Sequence, residues 1–149
     1  MKLYSNLNRL SLNDSCFTNL ERIGQNIELA FDWGKLENFI EGNIAEAIIL
    51  GATKLSIKGI SNEEFTGYFS KEGITKSIEA PKDIVKLWQA IGESIIDETA
   101  KKIKFSGCFT DKEGDFWIEW TFNYNSCEVE WNNYITVDEW RDGKLPNDC

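Results

Sequence analysis

The sequence predicts an α+β domain, in which an antiparallel, β-rich sheet has one main helix, at about residues 81–98, packed on it. The first observation behind this class is that most of the chain alternates apolar and polar residues in short runs bounded by glycine, asparagine and serine, as half-buried strands do. The second is a single stretch whose apolar residues recur at spacings of three and four, the period of a helix that packs on a sheet. A sandwich of two sheets, with the helix as an insertion, is the alternative architecture.

The length and composition of the chain favour one domain over residues 1–149. No internal repeat and no linker rich in proline, glycine or serine divides it. A folded chain of this length buries roughly two thirds of the surface that its unfolded form exposes, so no disulfide or metal is needed to stabilise it.

The first strong alternation predicts a hairpin. Residues 17–23 and 27–33 are its strands, and the turn between them contains Gly24. Every second residue from Ile27 to Trp33 is apolar, which predicts that this face of the second strand lies in the core.

Residues 33–50 have a weaker pattern and are predicted to be mostly loop. Gly34 and Gly42 interrupt what would otherwise be a short helix. An extended run is expected from about Ala47 onward.

Alternation returns in later runs, which predict further strands. These runs are residues 54–60, 63–69, 73–80 and 103–109. Residues 111–115 are expected to form the turn that follows the last of them.

The main helix is predicted to begin at Pro81, because proline is favoured at the first helical position, where its missing N–H would have no partner. Apolar residues then recur at helical spacing, namely Ile84, Leu87, Trp88, Ile91 and Ile95. They form one stripe, which should lie against the sheet. Gly92 interrupts this helix at a cost of about 1 kcal/mol relative to alanine, and would let the helix approach a strand closely.

Residues 114–131, GDFWIEWTFNYNSCEVEW, alternate almost without a break and hold three of the six tryptophans. A two-residue turn at Asn125-Ser126 predicts a second hairpin. Its inward face would contain the pairs Tyr124 with Cys127, Phe122 with Val129 and Trp120 with Trp131, extended by Phe116 and Ile118. A shift of one residue would bury two glutamates, so the pattern and the turn define the same register.

The outward face of this hairpin is the first candidate contact surface. It would pair Asn123 with Glu128 and Thr121 with Glu130, with Glu119 and Trp117 beside them. The three glutamates form an acidic patch without compensating lysines, and like charges on neighbouring strands are mildly destabilising. A solvated sheet face with no function is the alternative interpretation.

The net charge of −9, with a pI near 4.6, disfavours binding to nucleic acid and favours a basic protein partner. The charge is uneven, because residues 111–149 hold ten acidic and three basic residues, for −7. Asp138, Glu139 and Trp140 lie in this segment, and tryptophan is a frequent anchor of protein interfaces. These three residues are the second candidate contact surface.

Several chemistries are excluded by composition. The chain has no histidine, so Ser-His-Asp and Cys-His catalysis and histidine metal ligands are impossible. Neither G-x-G-x-x-G nor G-x-x-x-x-G-K-[ST] occurs, so a phosphate-binding loop has no support. The cysteines form no C-x-x-C pair and are expected to be free thiols: Cys16, Cys108, Cys127 and Cys149. No metal or cofactor is expected.

A cytoplasmic location without membrane contact is expected. The N-terminus lacks the apolar core of a signal peptide. No run approaches the roughly 18 apolar residues that a membrane-spanning helix needs.

Catalysis by a pair of carboxylates is the one catalytic mechanism that the remaining residue types permit. Glu119 and Glu130, or Glu128 and Glu130, could lie about 5 to 7 Å apart on adjacent strands, in the range that glycosidases use. A chain of 149 residues leaves little room for a substrate cleft, so no enzymatic activity is expected. A carbohydrate-binding module, in which Trp117 stacks on a sugar ring, is the main alternative to a protein-binding function.

Two blocks, NDSCFTNLERIGQNIELAFDWGKLENF at 13–39 and EAIILGATKLSIKGI at 46–60, resemble bacterial immunity proteins of polymorphic-toxin and contact-dependent growth inhibition systems. The resemblance covers about the first 60 residues and includes no catalytic motif. It implies a small, acidic, cytoplasmic domain that binds a cognate toxin and blocks its active site or its access to substrate. A nuclease toxin would be basic, which suits the acidic C-terminal third of this chain.

We therefore expect a toxin-neutralising protein that docks by charge steering and then buries an aromatic anchor. The interface is expected to draw on both candidate surfaces, that is on Trp117, Glu119, Thr121, Asn123, Glu128, Glu130, Asp138, Glu139 and Trp140. A sheet edge and the predicted loop at residues 34–43 are alternative contacts.

Overall fold

The computed structural model of the protein describes residues 1–41, 44–112 and 114–146. Over these residues the chain consists mostly of β-strands. In chain order the strands are β1 (Lys2–Leu3), β2 (Leu10–Ser11), β3 (Phe17–Ile23), β4 (Asn26–Phe31), β5 (Gly34–Glu41), β6 (Ile44–Leu50), β7 (Thr53–Lys58), β8 (Ser61–Phe69), β9 (Ile74–Ser77), β10 (Trp88–Asp97), β11 (Lys102–Asp111), β12 (Gly114–Asn123), β13 (Ser126–Trp131) and β14 (Tyr134–Thr136). The helical segments of the described residues are a 3-10 turn (Leu7–Arg9), α1 (Ile84–Leu87) and α2 (Val137–Arg141).

Hydrogen bonding joins the strands into three antiparallel sheets. The first sheet has the order β1-β13-β7-β4-β3, the second has the order β10-β11-β12-β8-β9, and the third has the order β14-β6-β5-β2. The antiparallel, β-rich class predicted from the alternation is therefore confirmed.

The core lies between the first and second sheets, whose buried faces meet through aromatic rings. Phe31 of β4 lies 5.8 Å from Phe105 of β11 between ring centroids, and Phe17 of β3 lies 5.6 Å from the same ring. The third sheet joins this core through Phe39, whose ring meets Trp131 edge-on at 6.4 Å. Each such aromatic pair adds about 0.5–1.5 kcal/mol beyond the area that it buries. The architecture is thus closer to the sandwich alternative than to a single sheet.

Several predicted strands are confirmed. β3 and β4 form the first hairpin, with Leu20 opposite Leu29 and Ile23 opposite Asn26. β7, β8, β9 and β11 occupy the runs predicted as later strands, and β8 pairs with β9. β11 continues to Asp111, which pairs with Gly114 of β12 across the predicted turn, and Glu113 of that turn lies outside the described residues.

The predicted main helix over residues 81–98 is wrong. Four of its residues form α1, and the stretch from Trp88 onward is β10, the edge strand of the second sheet. Register irregularities on both sides of Ile91 let Trp88 and Ile91 both point inward, where they are 3% and 0% exposed. A bulge inserts an extra residue into a strand and so creates a three-residue spacing that imitates a helix. Ile95, which the helical stripe required inside, is 45% exposed.

The predicted loop in residues 33–50 is also wrong, because β5 and β6 occupy most of this stretch and pair with each other. The extended run expected from about Ala47 is confirmed, because it lies within β6. Gly34 does not interrupt the structure. A Cβ at this position would lie 3.2 Å from a methyl group of Leu12, so glycine permits the N-terminal segment to pack closely on β5. Gly42, the second glycine behind that prediction, lies with Asn43 outside the described residues.

The predicted second hairpin is wrong in its pairing, because β12 lies between β11 and β8 while β13 lies between β1 and β7. The N–H of Tyr124 donates to the carbonyl of Lys101, which precedes β11, at 3.0 Å. The N–H of the next residue, Asn125, donates to the carbonyl of Lys58, at the end of β7, at 2.9 Å. The chain therefore passes from the second sheet to the first at residues 124–125, which we call the sheet corner.

The inward face of residues 114–131 is nevertheless predicted correctly. Its large apolar residues are all buried: Phe116, Ile118, Trp120, Phe122, Tyr124, Val129 and Trp131. Alternation determines which face of a strand is apolar, whichever neighbour the strand pairs with. The buried face can therefore be predicted from the sequence, although the partner strand cannot.

Candidate binding surface

The residues predicted to contact a partner lie on three separate parts of the structure. One group faces outward from β12 in the second sheet, one faces outward from β13 in the first sheet, and one belongs to α2. The groups are Trp117, Glu119, Thr121 and Asn123; Glu128 and Glu130; and Asp138, Glu139 and Trp140. Because the first two sheets bury their inner faces against each other, their outer faces point away from each other. The predicted pairs of Asn123 with Glu128, of Thr121 with Glu130 and of Glu119 with Glu130 are therefore wrong.

The glutamates of β13 are compensated by lysines of neighbouring strands. Lys2 Nζ lies 2.9 Å from Glu128 Oε1 and 3.9 Å from Glu130 Oε2, and Lys54 Nζ lies 3.7 Å from Glu130 Oε2. The hydrogen bond to Glu128 and the charges of both glutamates raise the pKa of Lys2. The prediction of an uncompensated acidic patch is wrong for this face.

The acidic residues of α2 are engaged in holding the helix. The Thr136 hydroxyl accepts a hydrogen bond from the Glu139 N–H at 3.2 Å, and the Glu139 carboxylate accepts one from the Thr136 N–H at 3.0 Å, which is a capping box. That backbone hydrogen bond, followed by one from Lys144 at 2.9 Å, lowers the pKa of Glu139. Asp138 pairs with Arg141 at 3.4 Å, and Trp140 is 47% exposed.

The outer face of the second sheet collects large exposed side chains. Trp117 of β12 pairs in register with Tyr68 of β8 on one side and with Cys108 of β11 on the other. Trp117 is 45% exposed and Tyr68 is 44% exposed. We call this surface the tryptophan face, and define it by Trp117, Glu119 and Thr121 of β12, Thr66 and Tyr68 of β8, Lys104, Ser106 and Cys108 of β11, and Gly92, Glu93 and Ile95 of β10.

Tyr68 was not among the predicted contact residues. The alternation of residues 63–69 places it opposite in direction to the buried Phe65, so its exposure was readable from the sequence. Its position beside Trp117 was not readable, because the sequence does not say that β8 is the neighbour of β12.

The indole of Trp117 lies along the sheet rather than standing away from it. A Cβ built on Gly92 would lie 2.5 Å from Trp117 Cη2 and 3.2 Å from Cζ2. Gly92 is on β10 and Trp117 is on β12, so the ring crosses the intervening strand β11. On that strand Ser106 points outward yet is only 3% exposed, and Cys108 is half-buried. The glycine therefore provides the space in which the ring rests.

The charges around the ring favour a cationic partner. Lys104 Nζ lies 3.1 Å from Glu93 Oε1 but 4.0 Å from Glu119 Oε2, so its ammonium group is held by Glu93. The side chain of Glu119 is 42% exposed. Within the described part of the second sheet, the outward charged residues are Glu64, Glu93, Asp97, Asp115, Glu119, Lys102 and Lys104. Carboxylates thus outnumber lysines on this side of the molecule.

Asn123 has a structural role at the end of β12. Its amide donates to the carbonyls of Ala100 and Lys101 at 3.4 and 3.3 Å, and its carbonyl accepts a hydrogen bond from Asn62 at 3.3 Å. These bonds hold the turn before β11, so we leave Asn123 out of the tryptophan face.

A surface cavity of about 340 Å³ lies at the sheet corner, lined by Tyr124 and Cys127 among others. Burial raises the pKa of Tyr124 to about 12 and that of Cys127 to about 12. Both groups are therefore protonated at neutral pH, and the thiol is a poor nucleophile. Cys16 and Cys108 are free thiols as well, and Cys149 lies outside the described residues.

Across residues 1–41, 44–112 and 114–146, no group of three or more cysteine, aspartate and glutamate side chains could hold a metal ion. No described helix has the length and apolar character needed to cross a membrane. Comparison with models of known protein families, with curated proteins and with solved structures gave no match.

Proposed function

We propose that this chain is an immunity protein, which binds a cognate toxin domain through the tryptophan face and so blocks the toxin. The observation that carries the proposal is the adjacent placement of Trp117 and Tyr68, both nearly half exposed, at paired positions of β12 and β8. Tryptophan and tyrosine are the residues most enriched among interface anchors.

The exposed aromatic area is large enough to matter for affinity. Aromatic side chains bury 150–250 Å² when fully covered, so covering the exposed 45% of Trp117 would gain about 2 kcal/mol at roughly 25 cal/mol per Å². Tyr68, at 44%, would contribute about as much. Ile95, 45% exposed on the same face, extends the apolar area toward β10.

The charge of the chain supports a basic partner. The net charge of −9 attracts a basic domain over distances of about the Debye length, which is roughly 8 Å at physiological salt. A toxin that holds nucleic acid is basic for its own reasons, and its substrate-binding surface would be attracted to the carboxylates of the tryptophan face. The resemblance of residues 13–39 and 46–60 to bacterial immunity proteins supports the same class.

The test is neutralisation of a toxin by this chain. The reading frame next to the gene is expected to encode a toxin domain, and co-expression of the present chain should restore growth of cells that express that domain. Replacing Trp117 and Tyr68 together by alanine should abolish the rescue. The matched control is Trp140→Ala, which removes an equally exposed tryptophan from α2 and should leave the rescue intact. Full rescue by the double variant would remove the tryptophan face from the interface.

A carbohydrate-binding module is the second candidate, because the same two exposed aromatic residues occupy paired positions on neighbouring strands, and Thr66 adds a polar side chain to the same face. A sugar ring stacks on such a surface through its apolar C–H face. Affinity electrophoresis in gels that contain soluble polysaccharide tests this function. Retardation that is lost in Trp117→Ala but kept in Trp140→Ala would favour it over the immunity function.

A further inference from the structure

We infer that the tryptophan face is a receptor for an arginine side chain of the partner, whose guanidinium group stacks on Trp117 and pairs with the carboxylate of Glu119. This inference rests on the proposed function, because it names the group by which a basic partner would be anchored.

The ring is positioned in advance for stacking. Since the indole crosses β11 and rests above Gly92, its orientation is determined by the sheet and not by a partner. The ring is still 45% exposed, so it presents a surface on which a planar cation can lie. Guanidinium groups stack on tryptophan faces through cation–π attraction, and the gain is larger when the pair is screened from water. Tyr68 pairs with Trp117 in register from β8, on the other side of β12, and adds a second exposed aromatic side chain to the same face.

The carboxylate that would complete the site is close to the ring. Glu119 follows Trp117 by two residues on the same strand, so the two side chains leave the same face about 7 Å apart at their Cα atoms. Its contact with Lys104 is long, 4.0 Å, because that lysine lies nearer to Glu93, at 3.1 Å. A guanidinium group forms two parallel hydrogen bonds to a carboxylate, which a lysine ammonium group does not. The carboxylate of Glu119 is therefore suited to an incoming arginine.

The contrast with Trp140 indicates that exposure and acidity alone do not make the site. Trp140 is 47% exposed and follows two acidic residues of α2, Asp138 and Glu139. Those carboxylates are already paired with cations of the same chain, Asp138 with Arg141 and Glu139 with Lys144 at 2.9 Å. A partner arginine would have to displace them. Trp140 is thus an internal control for nonspecific attraction of a cation to an acidic protein.

The experiment is an NMR titration of the full chain with blocked tripeptides, observed at the tryptophan indole N–H signals. The probes are Gly-Arg-Gly, Gly-Lys-Gly and Gly-citrulline-Gly, the last of which has the shape of arginine without its charge. The arginine peptide should shift the Trp117 signal with saturation, the lysine peptide more weakly, and the citrulline peptide hardly at all. The Trp140 signal should not saturate. The assignments come from Trp117→Phe and Trp140→Phe.

Two variants define the anchor. Trp117→Leu should weaken binding of the arginine peptide about fivefold or more, measured at the backbone N–H signals of β12 because the variant lacks the indole. Glu119→Gln should weaken it about threefold, whereas Glu64→Gln, which removes the same charge elsewhere on the sheet, should have little effect. Equal, unsaturated shifts at Trp117 and Trp140, or equal effects of the two glutamine variants, would overturn the inference. So would a shift of Trp117 by a neutral oligosaccharide such as cellotetraose in the absence of any effect of arginine.

The outcomes separate this inference from the proposed function. If the arginine site fails while the chain still neutralises a toxin, the partner is anchored by another chemistry and the immunity function stands. If the arginine peptide binds as expected and no toxin is neutralised, the anchor stands and the immunity function is wrong.

Discussion

The contact between Gly92 and Trp117 predicts that the two positions are energetically coupled. Replacing Gly92 by alanine places a methyl group 2.5 Å from Cη2 and 3.2 Å from Cζ2 of Trp117, well inside the roughly 3.5–4.0 Å at which carbon atoms attract each other. The ring must lift from the sheet or the strand must move. Such overpacking costs about 1–3 kcal/mol.

Gly92→Ala should lower the free energy of unfolding when the Trp117 ring is present and raise it when the ring is absent. Gly92 does not lie in the left-handed region of φ, so alanine is sterically acceptable to its backbone. In a Trp117→Ala background the nearest remaining contact is the Ser106 carbonyl oxygen at 3.3 Å, and Gly92→Ala should stabilise the strand by about 0.5–1 kcal/mol. The coupling free energy of the double-mutant cycle is then at least about 1.5 kcal/mol.

Urea denaturation of the four proteins in the cycle, followed by circular dichroism, measures this coupling. Trp140→Ala provides the control, because Gly92→Ala should cost the same with or without it, within about 0.5 kcal/mol. Additive effects of Gly92→Ala and Trp117→Ala would show that the indole does not rest on β10. The description of Trp117 as a ring held flat across β11 would then be wrong.

Three further predictions concern the sheet corner and the thiols. In the folded chain the pKa values of Tyr124 and Cys127 are raised from 10.0 and 9.0 to about 12, so the unfolded chain loses these protons at lower pH. The urea midpoint should therefore fall as pH rises from about 9 towards 12. A Tyr124→Phe/Cys127→Ala variant should show a flatter decline, and an equally steep decline would refute the assignment. Gly59→Ala should destabilise the chain by at least about 1 kcal/mol in urea titrations, because Gly59 has φ +70° and its missing Cβ leaves room for the side chain at position 125; an unchanged midpoint would contradict this packing. Trp117→Ala should speed alkylation of Cys108, measured by peptide mass spectrometry, since the ring covers the outer side of β11, and an unchanged rate would contradict that cover.

Alternation along the chain was sufficient to predict the strands that have one buried face. Ile27, Leu29, Phe122 and Val129 lie inside as expected, because a strand with one wet face must alternate. The pairing of strands was beyond this kind of reasoning. The strands on either side of the sheet corner have the same alternating pattern as the two strands of a hairpin. The corner is distinguished from a hairpin turn only by the backbone hydrogen bonds of residues 124 and 125, which go to two different sheets.

The helix predicted where β10 lies was wrong for a different reason. Two inward residues separated by three positions are compatible with a helix and also with a bulged strand. Trp88 and Ile91 have this spacing. The isoleucines at 91, 95 and 96 favour a strand, because β-branched side chains lose rotamer freedom in helices. For the candidate surface, Trp117 was identified as exposed, but its partners on β8 and β10 depend on strand order and could not be predicted.

The sheet corner also constrains how the molecule folds. β12 is the central strand of the second sheet and β13 an inner strand of the first, and two residues connect them. When either sheet assembles, the connected end of the other therefore lies within a few ångströms of it. The aromatic contacts between the two sheets form only when both sheets are present. Unfolding should be a single cooperative event in which fluorescence and circular dichroism change together. Since every pairing of β13 joins residues distant in sequence, folding should be slow compared with that of helical domains of the same length.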